Sequence, residues 1–198
     1  MGLFEDPYGK TFKNRKRHSP ESVKLAKTIA DESTVLLKNE NQLLPLDTKS
    51  LKSIAIIGPN ADQVQFGDYT WSRNNKDGVT PLQGIKNRVN KNTAIHYAKG
   101  CSLTSLDTSG IAEAVEAAKN SEVAVIFGGS ASAALARDYK SSTCGEGFDL
   151  NDLNLTGAQS QLIREVYRTG TPVILVLVTG KPFVIEWEKN NLPAILRS

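Results

Sequence analysis

Residues 122–129 read EVAVIFGG, and this stretch decides the fold. From Val123 to Phe127 no polar residue interrupts the run. A strand with one face in water alternates apolar and polar residues, whereas an unbroken run belongs to a parallel strand covered on both faces. Pro172–Val178, PVILVLV, repeats the signal. Between the two lies a segment of helical period, with Leu162, Ile163, Val166 and Tyr167 on one face and Gly170 as its stop.

The rhythm extends upstream and downstream. Ser53–Ile57 is a short apolar strand running into Gly58-Pro59-Asn60, and Thr93–Ala98 alternates as a second strand. Thr80-Pro81-Leu82-Gln83 is a capping box with proline at the first helical position, opening a helix through Leu82, Ile85 and Val89. Ile111, Val115 and Ala118 mark the inner face of another helix. Thr156-Gly157-Ala158-Gln159 predicts a second capping box, Phe183–Lys189 a further helix, and Pro193–Leu196 a last strand. Strands alternating with helices specify an α/β fold: a three-layer sandwich with a mostly parallel, doubly wound sheet. Ser19 and Pro20 open a helix whose apolar stripe (Val23, Ala26, Ile29, Ala30) continues to Val35 and Leu36 before a turn over Leu37–Asn41 and Leu43–Leu46. The sandwich is therefore expected over 19–198, preceded by a linker over 1–18.

Composition narrows the function. The chain has 198 residues, 39% hydrophobic and 23% charged, enough to bury a core of one domain or at most two. A net charge of +3 is too small to argue for nucleic acid. The basic run from Lys10 to Arg17 reads as a solvated linker, since no matching basic face recurs. No apolar stretch is long enough to span a bilayer, and the first residues lack the basic-then-apolar pattern of a signal peptide. Neither nucleic acid nor membrane is expected as a partner. Cys101 and Cys144 are too few for a disulfide framework or a structural zinc site and are read as separate thiols, although both fall near the mouth of the sheet. Gly58 follows the first strand of the sheet without a G-x-G-x-x-G spacing, and Gly180-Lys181 lacks the upstream glycine of a phosphate loop. No cofactor and no metal are expected. His96 reads as a packed or surface histidine.

The loop from Ser141 to Gln159, SSTCGEGFDLNDLNLTGAQ, leaves the carboxyl end of the EVAVIFGG strand. Long connections in compact domains are usually functional or disordered. At its centre Glu146 stands between Gly145 and Gly147, which let the backbone turn sharply and another surface approach. By spacing alone Glu146 is one loop acid among several.

The run Gly145-Glu146-Gly147-Phe148-Asp149, followed by Leu153-Asn154-Leu155-Thr156-Gly157-Ala158-Gln159, resembles the acid/base loop of glycoside hydrolase family 3, in the carboxy-terminal α/β sandwich domain of its β-glucosidases and β-xylosidases. Ala30–Leu46 and Gly2–Tyr8 also resemble family segments, the latter the exit from a catalytic barrel. The chain departs from the usual motif in having Leu150 where many members have arginine, and Thr156 where many have proline.

The resemblance implies that Glu146 is the general acid/base of a retaining exo-acting β-glycosidase. The nucleophile would be an aspartate on an N-terminal barrel domain of the same parent chain, the substrate a β-linked carbohydrate, and Ser198 a truncation point. A periplasmic or secreted parent would fit. A retaining glycosidase holds its two carboxyl groups about 5 Å apart, one attacking and one moving the proton, so this chain would carry half of an active site. Upstream, Phe66-Gly67-Asp68-Tyr69-Thr70-Trp71-Ser72 puts aromatics on a glycine-containing loop at a strand's carboxyl end, where open α/β sheets make ligand contacts. Tyr69 and Trp71 either bind the sugar by their ring faces or cover the end of the sheet. Arg137 and Asp138 either orient Glu146 or lie on the surface. The alternative function is a non-catalytic α/β ligand-binding or scaffolding module.

Overall fold

A computed structural model describes residues 4, 5, 7, 19–67, 69, 78–132, 143–147, 149 and 151–198. The chain forms two units, Met1–Thr34 and Val35–Ser198. In the first, α1 (Pro20–Ser33) starts as the sequence predicts: the Ser19 hydroxyl accepts from the Ser22 N–H at 3.2 Å, and proline occupies the first turn. None of its residues is buried.

The second unit contains a six-stranded sheet in the order β1-β6-β5-β4-β2-β3. Its strands are β1 (Val35–Asn39), β2 (Ser53–Ile57), β3 (Ala94–Ala98), β4 (Val123–Gly129), β5 (Val173–Val178) and β6 (Ala194–Arg197). All neighbouring pairs are parallel except β1 with β6. The α/β sandwich with a mostly parallel sheet stands as expected. Its helices are α2 (Pro81–Arg88), α3 (Ile111–Lys119), α4 (Gln159–Tyr167) and α5 (Glu186–Asn191).

Period-two geometry sends alternate residues of each strand to opposite faces. Ile57, Ile126, Leu175 and Ile195 join Ala114 of α3 and Leu162 and Ile163 of α4 in one core. Ile54, Ile56, Val125, Phe127 and Ile174 join Leu82 and Ile85 of α2 in the other. Both faces are covered, which is why β4 is buried along its whole length and its sequence shows no alternation. Each fully buried isoleucine contributes about 2 kcal/mol of transfer free energy.

Three local readings need correction. The helix expected to run on through Val35 and Leu36 stops at Ser33; Thr34 is extended, and Val35–Asn39 is the antiparallel edge strand β1, bulged between Leu36 and Lys38. β-branched residues at 34 and 35 and the waiting edge of β6 outweigh the helical spacing. The Asn39 amide then fixes the turn, donating to the Leu44 carbonyl and accepting from its N–H, both at 2.9 Å. The second capping box does not form: α4 begins at Gln159 with no side-chain cap, and the Thr156 hydroxyl donates instead to the Leu103 carbonyl at 2.6 Å. The helix expected over Phe183–Lys189 begins later, at Glu186. At α2 the Thr80 hydroxyl does cap the Gln83 N–H at 3.2 Å, but the Gln83 amide turns to Asn87 rather than back to the cap.

Candidate functional site at the divergence of β2 and β4

β2 hands the chain to β3 on one side, while β4, its neighbour on the other side, hands it to β5. Their carboxyl-end loops therefore part and leave a crevice, the place where open α/β sheets bind ligands. Glycine makes both exits possible. Gly58 follows β2 at φ 114°, and a Cβ there would lie 2.3 Å from the Phe127 carbonyl oxygen. Gly129 ends β4 at φ 118°, where a Cβ would lie 2.3 Å from the Val178 carbonyl oxygen.

Two buried amides hold the base of the crevice. Asn60 donates from its N–H to the Phe127 carbonyl at 3.1 Å and from Nδ2 to the carbonyls of Gly128 (3.3 Å) and Ser130 (3.2 Å). Its Oδ1 accepts from Gln65 Nε2 at 2.9 Å. Gln159, 1% exposed, accepts from the Gly129 N–H at 2.8 Å. Its Nε2 lies 3.1 Å from the Gly129 carbonyl and 3.3 Å from that of Leu103. Neither Asn60 nor the tertiary role of Gln159 was read from the sequence. A polar residue directly after a strand and another at the expected start of a helix look like ordinary loop and cap residues.

The loop carrying Glu146 is tied down where it returns to the sheet. The N–H groups of Thr143 and Cys144 donate to the Ala131 carbonyl at 2.9 and 3.2 Å, and the Ala131 N–H donates to the Thr143 hydroxyl at 3.1 Å. Ser132 and Cys144 form a parallel bridge. Beyond it, Gly145 (φ 125°) and Gly147 (φ 77°) both take left-handed backbone, and Glu146 between them is exposed. Among the described residues no atom lies within 4 Å of a Cβ built on Gly147, so there the left-handed backbone is what calls for glycine.

Across the crevice the Tyr69 hydroxyl donates to Glu146 Oε2. Tyr69 is 82% exposed. The structure thus brings together two of the site residues that the sequence singles out. Trp71, Arg137 and Asp138 lie outside the described residues. Beside this pair is a cavity of about 240 Å³ lined by Gln65, Phe66, Ser130, Cys144 and Thr179 among others.

Both cysteines are free. Burial pushes the Cys101 thiol up to about 11, opposed in part by nearby Lys99. Burial, with lesser effects of Asp62 and Glu113, raises the Tyr97 phenol at the end of β3. Among the described residues, no group of three or more His, Cys, Asp or Glu could hold a metal ion. No described helix is long and apolar enough to cross a membrane.

Residues 34–198 match the family model described as the glycosyl hydrolase family 3 C-terminal domain. This chain belongs to glycosyl hydrolase family 3. It is 39% identical over 184 residues to a β-xylosidase of Formosa agariphila, covering 90% of this chain and 24% of the relative. To the periplasmic β-glucosidase of Salmonella typhimurium it is 34% identical, covering all of this chain and 28% of the relative. The crystal structure of a β-glucosidase from Listeria innocua in complex with gluconolactone aligns at a TM-score of 0.78 and 28% identity, over 98% of this chain and 25% of that one. The chain thus spans about a quarter of the length of the family members it matches.

Proposed function

We propose that this chain forms the acid/base half of the active site of a retaining exo-acting β-glycosidase, a β-glucosidase or β-xylosidase acting on β-linked oligosaccharides. Glu146 protonates the departing glycosidic oxygen and then, as a carboxylate, takes the proton of the attacking water. The nucleophile comes from a barrel domain of the same parent protein, to which residues 1–18 lead. Trp71 is proposed as a sugar contact.

The observation that carries this reading is the presentation of Glu146. It stands exposed between two glycines in left-handed backbone, on a loop bridged at Cys144 to Ser132 just past β4, at the crevice where the sheet changes direction. An acid so placed can reach a partner surface while its backbone stays anchored. Family membership and the names of the relatives supply the reaction class.

A split site has a direct consequence. This chain alone should turn over p-nitrophenyl β-glucoside or β-xyloside no faster than buffer, while the full-length enzyme should cleave one of them readily. Turnover by the isolated chain at an ordinary glycosidase rate would refute the split.

A further inference from the structure

We propose that Tyr69 is a positioning residue for Glu146, acting through its hydroxyl rather than its ring. The inference rests on the acid/base assignment of Glu146 and deepens it.

The argument starts from the topology. Tyr69 and Glu146 are 77 positions apart in sequence and belong to loops that leave adjacent strands in diverging directions. Near the sheet they are cross-tied by Asn60, which hydrogen-bonds to the backbone of Phe127, Gly128 and Ser130. The outgoing limb of the Tyr69 loop meets its returning limb at Gly78, where a Cβ would lie 2.3 Å from Val64 and 2.7 Å from Phe66. That contact leaves Tyr69 projecting from a firm base. The Glu146 loop is likewise tied at the Ser132–Cys144 bridge. Past that bridge the carboxylate sits between two glycines, whose backbones have the widest conformational freedom of any residue.

A general acid works only when it lies within hydrogen-bond reach of the atom it protonates. The freedom that lets Glu146 reach out therefore also lets it miss. The Tyr69 hydroxyl, donating to Oε2, favours one orientation of the carboxyl group. This differs from a sugar contact made by the ring face: the working part is the O–H, and a phenyl ring cannot replace it.

The test uses the full-length glycosidase and compares two leaving groups. A phenyl glycoside needs protonation of its departing oxygen, whereas a 2,4-dinitrophenyl glycoside leaves without it, and kcat/KM reports the bond-breaking step in both. Tyr69→Phe should lower kcat/KM about tenfold on the phenyl glycoside and less than about twofold on the dinitrophenyl one. Because Tyr69 is 82% exposed, the fold should be unaffected, and an unchanged Tm checks this. Equal losses on both substrates, or none on either, would overturn the proposal. So would a harmless Tyr69→Phe beside a Tyr69→Ala that raises KM on both, since that pattern marks a ring contact with sugar. Glu146→Gln, assayed in parallel, separates the two layers. If it leaves the phenyl glycoside rate intact, the acid/base assignment itself fails. If it abolishes that rate while Tyr69→Phe changes nothing, only the positioning role fails.

Discussion

Replacing Gln159 by leucine keeps the side-chain volume and removes an amide that ties the end of β4 to the start of α4. The lost contacts are the acceptor for the Gly129 N–H at 2.8 Å and the donations toward the Gly129, Leu103 and Thr156 carbonyls at 3.1, 3.3 and 3.1 Å. These losses are unequal. The Leu103 carbonyl keeps the Thr156 hydroxyl as a donor at 2.6 Å, so it stays satisfied. Among the described residues no second side chain accepts from the Gly129 N–H, which would be stranded in a buried strand end; an orphaned buried donor costs about 1–3 kcal/mol. Adding roughly 1 kcal/mol for the lost carbonyl contacts gives an expected destabilisation of about 2–4 kcal/mol. For a unit of this size that lowers Tm by roughly 4–16 °C. Urea unfolding followed by far-UV circular dichroism measures it, with the midpoint falling and the slope unchanged. A loss below about 0.5 kcal/mol would show that the amide is not a structural tie and would refute the reasoning.

Other consequences can be checked on the same chain. Gly58→Ala places a Cβ against the carbonyl of a central strand and forces alanine to φ 114°, so it should cost about 3–5 kcal/mol, whereas Gly147→Ala, with no described atom within 4 Å of its Cβ, should cost about 1 kcal/mol. Comparable losses from the two would contradict the packing around β2. Cys101, buried and with its thiol pushed up to about 11, should resist iodoacetamide at pH 8 while half-buried Cys144 is alkylated. Mass spectrometry of the labelled peptides reads the difference, and equal labelling in the native state would contradict the burial of Cys101.

Much of the fold is legible because its signals are local. The runs at Val123–Phe127 and Val173–Val178 carry enough apolar residues to require cover on both faces, and Thr80-Pro81 marks a helix start by its own backbone chemistry. What the sequence hides depends on partners far along the chain. Val35–Asn39 is a strand because Ala194–Arg197 offers it an edge, while its Leu36-Leu37 pair fits a helical stripe equally well. Thr156 and Gln159 have the types and spacing of a capping box, yet Leu103 and Gly129 claim their side chains. The site divides in the same way. Glycines flanking Glu146 are visible in one dimension, but the meeting of Tyr69 with that carboxylate follows only from β2 and β4 lying side by side.

The role of Glu146 is tested most directly by Glu146→Gln in the full-length enzyme, with a phenyl glycoside to read the acid step and a 2,4-dinitrophenyl glycoside with sodium azide to read the base step. The account predicts a fall in kcat/KM of about 10²–10⁴ on the phenyl glycoside, and on the 2,4-dinitrophenyl glycoside, whose aglycone leaves without protonation, turnover restored by azide with formation of the β-glycosyl azide, because a small anion needs no base to attack the glycosyl-enzyme. An unchanged rate, with no azide adduct, would contradict it.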